Sequence, residues 1–470
     1  VWFCTGQAAI NERSILMTSG HRSWQEQHLS REAPRYTSYP SAHHFAPLGA
    51  DVYEKWLAAL SPEKSVGLYL HVPFCEQMCY FCGCHTHITK RYDPVAAYVA
   101  CLIDEIRMIG ERLAFRPKVH AVHFGGGSPG IMSPDDTRRV FAAFDRDFEL
   151  SAGAEISIEL DPRRITAEKV RAYRESGVNR VSLGVQDTQP QVQRAINRIQ
   201  PLALIRESVD CLRAHGLESL GIDLIYGLPF QTEQTLAATL EDVALLAPRR
   251  ISVFSYAHVP WVKKHQKLID ESALPGIAAR TAQYCLIDDR LTAMGFEGVG
   301  MDHYAKPGDG LAMAARSGTL RRNFMGYTDL PNDRLIAFGA SSISELDGGI
   351  IQNIPQSTTY QGHVMAGRLP VVRGWEYRDD DRARGAVISS LMCHFTANLA
   401  DILAAHGLPA DYFDAEIMDL AEFIEAGIVT VDGRTVTFHS PLKMFVRSVA
   451  CVFDRYAREI PAKNRYSQVA

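Results

Sequence analysis

Short apolar runs separated by amphipathic stretches set the pattern of the first two-thirds of the chain. The runs at 66–71, 119–124, 155–160, 180–185, 220–226 and 251–256 are rich in β-branched or aromatic residues, which predicts strands. Between them, 95–113, 133–144, 166–176, 203–215 and 232–246 carry helical spacing. In the last of these, Leu236, Leu240, Val243 and Leu246 fall on one side of a helix. Ser133-Pro134 followed by Asp135 and Asp136 supplies a cap, a first-turn proline and early acids. Thr166 and Thr232 open two further helices. The alternation predicts an α/β protein built from six parallel β/α units. A doubly wound sheet is one arrangement of such units. A partial or full barrel fits better, because polar or glycine-rich segments follow nearly every predicted strand, and barrels gather their sites at strand C-termini.

The rhythm breaks at both ends. Residues 1–60 have no long period and are read as an extension and a covering arm, with little catalytic role expected for 1–16. Within it, Arg35-Tyr-Thr-Ser-Tyr-Pro40 reads as an ordered arm over a pocket, or more plainly as a surface loop. Residues 61–375 form the barrel and its extension, and 376–470 a mainly helical C-terminal domain. Residues 323–327 read as a loop, 338–343 as a small glycine-containing segment, 431–434 as a hairpin turn on Asp432-Gly433, and 442–459 as a final helix.

Composition narrows the function classes. With 470 residues, 46% of them hydrophobic, the chain can bury a large core and a smaller domain. A formal charge of -5 gives little reason to expect nucleic acid as a partner. No stretch reaches bilayer-spanning length and no export signal opens the chain, so no membrane partner is expected and the cytoplasm is the expected location. Ten cysteines are too few to staple a chain of this size, yet Cys75, Cys79, Cys82 and Cys84 cluster. Such clustering in a reducing compartment indicates metal or redox chemistry.

The CxxxCxxC spacing of Cys75, Cys79 and Cys82 lets one loop after the first predicted strand supply three soft thiolate ligands. Three ligands on a four-iron cluster leave one iron open. A structural zinc site with Cys84 as fourth ligand is the competing reading. The run Gly125-Gly-Gly127 permits close backbone approach, or merely a tight turn, and lacks the phosphate-loop pattern. Glu159 and Asp161, two positions apart, face the same side of a strand, in a pocket or as a salt link or helix cap. Asp223 within an apolar run needs partners.

Together with RYTSYP at 35–40, YLHVPFC at 69–75, HFGGGSP at 123–129, IELDPR at 158–163, GVQD at 184–187, DLIYGLP at 223–229, YAHVP at 256–260, GMDHYA at 300–305 and NFMGYT at 323–328, the chain resembles the radical S-adenosylmethionine superfamily. Over roughly 35–456 it is similar to the oxygen-independent coproporphyrinogen III oxidase (dehydrogenase) family. The resemblance implies an incomplete (β/α)6 TIM-like barrel with an N-terminal arm and a helical C-terminal domain. It implies conversion of two propionates of coproporphyrinogen III to vinyl groups, giving protoporphyrinogen IX. The implied cofactors are a [4Fe–4S] cluster and two S-adenosylmethionine molecules that generate 5′-deoxyadenosyl radicals. A flavodoxin or ferredoxin donor and a monomer are implied as well.

Carried over by motif, Cys75, Cys79 and Cys82 match the cluster ligands, and Cys84 the additional cysteine beside the cofactor that does not ligate iron. Tyr69 and Phe81 match aromatics near the cluster. Gly126, Gly127 and Ser128 match the segment at the methionine amine, where the family usually has Thr at 128. Glu159 matches an acid near adenosylmethionine. Gln186, Arg198 and Asp223 match groups at its ribose or methionine portions, and Ala257 a backbone contact to adenine. Phe324, Met325 and Ile343 match the region of a second adenosylmethionine. Two departures stand out: Met325 replaces a Gln and cannot supply its amide donors, and Ile199 replaces a Glu beside Arg198. Arg35, Lys263 and Arg322 are candidate partners for substrate carboxylates, with surface or structural charge as the alternative. His303 and Tyr304 support a pocket or the core. The competing functions are a related radical enzyme acting on another tetrapyrrole or haem, and a haem-binding or trafficking protein.

Overall fold

A computed structural model of the chain describes residues 24, 26–330, 334–378, 380–458 and 466–469; the extension at 1–16 lies outside them. Six parallel strands form where the alternation placed them. They are β1 (Val66–Val72), β2 (Lys118–Gly126), β3 (Glu149–Leu160), β4 (Arg180–Gln186), β5 (Ser219–Tyr226) and β6 (Arg250–Ser255). Five helices cross between them: α1 (Asp93–Gly110), α2 (Pro134–Asp147), α3 (Ala167–Glu175), α4 (Leu202–Ala214) and α5 (Glu233–Ala244), with α6 (Ile277–Ala293) after β6. The hydroxyls of Ser133, Thr166 and Thr232 accept backbone N–H groups at the starts of α2, α3 and α5, as the cap residues predict. Every residue of β1 is buried, which is why it reads as a continuous apolar run rather than an alternating one.

The sheet extends past the six units on both sides. β7 (Glu297–Val299) and β8 (His303–Ala305) add antiparallel strands beyond β6. On the other side β9 (Leu335–Phe338) runs parallel to β1 and is followed by the antiparallel β10 (Ile343–Leu346), β11 (Gly349–Asn353) and β12 (Val371–Glu376). The strand order runs from Ala46–Pro47 to β7 without closing, so the barrel is incomplete. One apolar core runs from Leu29 to Val469 and joins the sheet, its helices and the C-terminal region. No helix among the described residues is long and apolar enough to cross a membrane.

Three expectations change. Residues 323–327 are a tight hairpin in which Asn323 pairs with Gly326, and the Asn323 side chain accepts the Met325 N–H. The stretch 442–459 is not one helix. The helix Val446–Val452 ends before Asp454, whose carboxylate accepts the N–H groups of Tyr456 and Ala457 and the Tyr36 hydroxyl, so a new helix starts there. The predicted hairpin pairs Val429–Asp432 with Thr435–Phe438, and Thr396–Asn398 adds a third strand that apolar spacing did not announce.

Two polar networks fix the parts around the strand ends. Behind β1, the buried Glu105 of α1 accepts the Gly339 N–H at 2.7 Å, the Asn353 amide at 2.6 Å and the Tyr360 hydroxyl at 2.6 Å. Beside it, the Tyr98 hydroxyl donates to the His71 carbonyl at 2.8 Å and accepts the Ala340 N–H. At the arm, the buried Arg447 donates to the carbonyls of Ala33 and Pro34 and to those of Ser467, Gln468 and Val469. The arm and the chain's last described residues are thereby fastened together.

Candidate functional site

The cysteine loop leaves β1 through Phe74–Cys75, which pairs with His87–Ile88, so Cys75 lies beside Ile88. Neighbouring loops hold its backbone. The Tyr80 N–H donates to the Ile196 carbonyl at 3.0 Å, and the Asn197 amide to the Met78 carbonyl at 2.7 Å. From the loop after β6, Lys263 donates to the Cys84 carbonyl at 3.0 Å, His265 bonds the Cys82 carbonyl at 2.7 Å, and Gln266 donates to the Phe81 carbonyl at 3.0 Å.

Cys75, Cys79, Cys82 and Cys84 open onto a cavity of about 470 Å³ at the C-terminal ends of the strands. Of the other residues matched from sequence, Phe81, Gly126, Gly127, Ser128, Glu159, Gln186, Arg198, Asp223, Ala257 and Arg35 also line it. Tyr69, Phe324, Met325, Ile343, Lys263 and Arg322 do not.

The glycine run works by contact. Gly126 has φ +115°, and a Cβ there would sit 2.8 Å from the His71 ring. A Cβ on Gly127 would sit 2.8 Å from the Phe74 carbonyl oxygen. The strand end therefore packs directly against the cysteine loop, as glycine alone permits. Just beyond, the Ser128 hydroxyl is buried with no partner.

Charges are arranged around Cys79. Arg198 reaches its sulfur at 3.4 Å, Asp161 at 3.3 Å and the Gly184 carbonyl at 2.6 Å, while its Nε is buried without a partner. Burial alone would raise the Asp161 carboxyl, but Arg198 and Arg163 hold it down at about 2. Burial and the nearby charge of Glu159 push Asp223 up to about 6, with Ser182 donating to it at 2.8 Å. Glu159 meets His123 at 3.1 Å. A hydrogen bond from Cys84, with Lys263 and His265 nearby, draws Cys82 down to about 6 against the effect of burial, whereas burial pushes Cys75 up to about 12.

The remaining matched residues form a neighbouring apolar region. Tyr69 stacks on His123 with centroids 5.9 Å apart and meets Phe324 edge-on at 6.0 Å. Tyr69, Phe324, Met325, Leu335 and Ala337 pack together, and Phe324 also joins Ile343 and Phe45. Met325 lines a second cavity of about 190 Å³ that it shares with Glu159, Asp223 and His303. The three candidate carboxylate partners diverge. Arg35 reaches the large cavity while donating to the Ser255 carbonyl at 2.9 Å. Arg322 lies over the Tyr327 ring and donates to the carbonyls of Arg35 and Tyr36. Lys263 is engaged by the cysteine loop. Tyr304 is buried with its hydroxyl on Asp288, whereas His303 bonds Asp302 and faces the small cavity. Ile199 is 58% exposed and stands outside the Arg198 network.

Some contributors escaped sequence reasoning. Asp161, expected as a salt link or cap, is both, and additionally anchors Arg198. Gln266 is buried and ties the loop after β6 to the cysteine loop, accepting the Val259 N–H and donating to the Ala257 and Phe81 carbonyls. No local pattern marks it, because Phe81, its partner in the cysteine loop, is remote in sequence. Asn197 sits next to the matched Arg198 and was the more accessible signal.

The family model described as the radical SAM superfamily matches residues 69–243, from β1 into α5. An oxygen-independent coproporphyrinogen III oxidase of Bradyrhizobium diazoefficiens is 45% identical, over 93% of this chain and 96% of that one. An anaerobic coproporphyrinogen III oxidase of Cereibacter sphaeroides is 40% identical over the same shares. The solved structure of coproporphyrinogen III oxidase from Escherichia coli, a radical SAM enzyme, superposes with a TM-score of 0.86 at 35% identity, covering 91% of this chain and all of that one. The chain belongs to the oxygen-independent coproporphyrinogen III oxidase family of the radical SAM superfamily.

Proposed function

We propose that this chain carries out the oxygen-independent oxidative decarboxylation of coproporphyrinogen III to protoporphyrinogen IX, with Cys75, Cys79 and Cys82 holding a [4Fe–4S] cluster. One observation carries the reading. Three thiols from a single loop share a cavity with a buried hydroxyl, Ser128 Oγ, and a buried guanidinium nitrogen, Arg198 Nε, that the protein leaves unpartnered. Other such atoms occur elsewhere in the fold, as at Tyr173 and Ser357, but these two lie on the cavity the thiols share, where a ligand can complete them. The thiol donor set suits iron.

When bound, the cluster and S-adenosylmethionine supply a one-electron route to hydrogen abstraction from an unactivated C–H bond. The chain's own residues position and enclose. The backbone at Gly126 and Gly127 and the Ser128 hydroxyl receive the methionine amine end. Arg198, Gln186 and Asp223 hold the ribose and methionine portions, and Phe81 and Ala257 flank the adenine. Glu159 stands by through His123. Phe324, Met325 and Ile343 form an apolar seat for a second S-adenosylmethionine. Arg35, which lines the large cavity, meets a substrate carboxylate; Lys263 and Arg322, which do not line it, hold the cysteine loop and the arm instead. Enclosure by the arm keeps water from the reacting carbon. The reducing electron comes from outside the chain.

A second reading rests on Met325. Its thioether packs with Tyr69, Leu335 and Ala337 where the family carries an amide, which favours a related enzyme acting on another tetrapyrrole or haem. Oxygen-free turnover separates the two. Coproporphyrinogen III yields the divinyl product, two carbon dioxide and two deoxyadenosine per molecule under the first reading. Deoxyadenosine without vinyl product or carbon dioxide rejects it.

A further inference from the structure

We propose that residues 261–268, together with the segment beside Cys75, form the docking surface for an acidic one-electron carrier protein. This inference rests on the proposed function, which requires an electron at the cysteine loop.

The segment is built unlike its surroundings. Trp261, Val262 and Leu268 are 47%, 58% and 62% exposed, interleaved with Lys263, Lys264 and Lys267. Exposed aromatic and aliphatic side chains framed by cations mark a recognition surface rather than a solvated loop. The same segment grips the cysteine loop through three of its residues: Lys263 on the Cys84 carbonyl, His265 on the Cys82 carbonyl and Gln266 on the Phe81 carbonyl. On the other flank, Ile88 pairs with Cys75 and is 41% exposed, followed by exposed Lys90 and Arg91. Surface and cysteine loop are thus joined by direct hydrogen bonds, and an electron delivered there has a short path.

Charge identifies the occupant. The whole chain is net negative at -5, but here cations prevail. Among the described residues Lys90, Lys264 and Lys267 form no ion pair. Of the nearby acids, Glu271 pairs with His258, Glu76 with Arg164 and Asp93 with Arg91 of this same face, while Asp270 accepts the Ser272 N–H, so Lys90, Lys264 and Lys267 outnumber the one unpaired acid, Asp270. An acidic partner gains encounter rate from such a patch, and a small, salt-sensitive interface suits a carrier that must leave after each transfer. In the transfer one electron leaves the carrier's reduced centre and enters the cluster. The carrier is oxidised by one electron, the cluster is reduced by one, and no atom changes hands.

The test measures binding as well as turnover. Cluster-loaded protein is titrated with purified flavodoxin, an acidic one-electron carrier, at several salt concentrations. The double variant Lys264→Glu, Lys267→Glu is expected to bind at least tenfold more weakly with a flattened salt dependence, while its iron content and dithionite-driven deoxyadenosine formation stay at wild-type level. Trp261→Ser weakens binding with the salt slope kept. Equal flavodoxin affinity in wild type and double variant, no binding at low salt, or binding to phosphatidylglycerol vesicles in place of flavodoxin overturns the docking surface. Failure of dithionite to drive deoxyadenosine formation in the wild type overturns the proposed function instead, whatever the binding shows.

Discussion

Glu105 and Ser128 are both buried, polar and close to the end of β1, yet their surroundings differ. Three donors converge on Glu105, from Gly339, Asn353 and Tyr360, so its carboxylate is satisfied from within the protein. Ser128 Oγ, and Arg198 Nε on the same cavity, have no partner at all. Burial drives the Glu105 carboxyl up to about 7 even so, which shows how much the network must offset. A completed network is architecture: it fastens α1 to the strands behind β1. An incomplete one at a cavity wall is a site, since an unpartnered polar atom is tolerated where a ligand completes it. His71 stands between the two, its carbonyl taken by Tyr98 and its ring touching Tyr69 and the Gly126 backbone.

The largest effect that follows is on the architectural side. Glu105→Ala leaves three buried donors unsatisfied, which predicts a loss of roughly 3 kcal/mol or more. Denaturant midpoints of the cluster-loaded protein measure it, and KM for S-adenosylmethionine in the folded fraction stays within twofold. A stable variant with lost cofactor affinity would reverse the two roles.

His71 links the clusters through pH. Burial lowers its pKa to about 4, below the ordinary 6.5, so the folded state favours the neutral ring. Its Nδ1 faces the Tyr69 hydroxyl at 3.1 Å and its Nε2 the His85 carbonyl at 3.0 Å, which suits one acceptor and one donor. The unfolded chain takes the proton first as pH falls. Stability from this ring is therefore complete above about 6.5 and is lost as pH drops toward 4, up to a ceiling of about 3 kcal/mol. The difference between wild type and His71→Gln in melting temperature, followed across that window, reports it. A constant difference assigns the acid sensitivity elsewhere.

On the site side the signs separate. Ser128→Ala removes an unpartnered hydroxyl, so stability stays within about 0.5 kcal/mol, while S-adenosylmethionine binding weakens about tenfold for one lost hydrogen bond. Ser128→Thr restores affinity. Binding isotherms and melts on the same preparations decide it: lost stability with unchanged affinity would make Ser128 architectural after all.

The contrast also explains what the sequence reveals. β1 to β6 and their helices are legible because each is a local run long enough to carry its own period and caps, as at Ser133, Thr166 and Thr232. The cysteine loop is legible because spacing and chemistry coincide within a few residues. The break in the final helix is hidden because apolar spacing continues through 442–459, while Asp454 turns its carboxylate to Tyr456, Ala457 and Tyr36 and restarts the chain. The hairpin at 323–327 reads as a loop from sequence because its pairing is only three residues deep on each side. Gln266, Lys263 and Arg322 take their roles from carbonyls far away in sequence, so residue type alone suggests ligand contacts for two of them and nothing for the third.

Met325 tests the comparison where it is weakest, because its region is neither a satisfied network nor an open one. The thioether packs with Tyr69, Phe324, Leu335 and Ala337 and also faces the small cavity shared with Glu159 and Asp223. A Gln of similar length would carry two N–H donors toward a cavity already holding two carboxyl groups. Burial disfavours the charged form of one of these, Asp223, and an added donor would offset that cost. Met325→Gln is expected to fold normally and to change turnover by a fewfold, seen as a shift in the ratio of half-decarboxylated to divinyl product. Equal turnover and equal partial-product accumulation would mean that this position only fills space, and that the apolar seat beside Tyr69 does not govern the second decarboxylation.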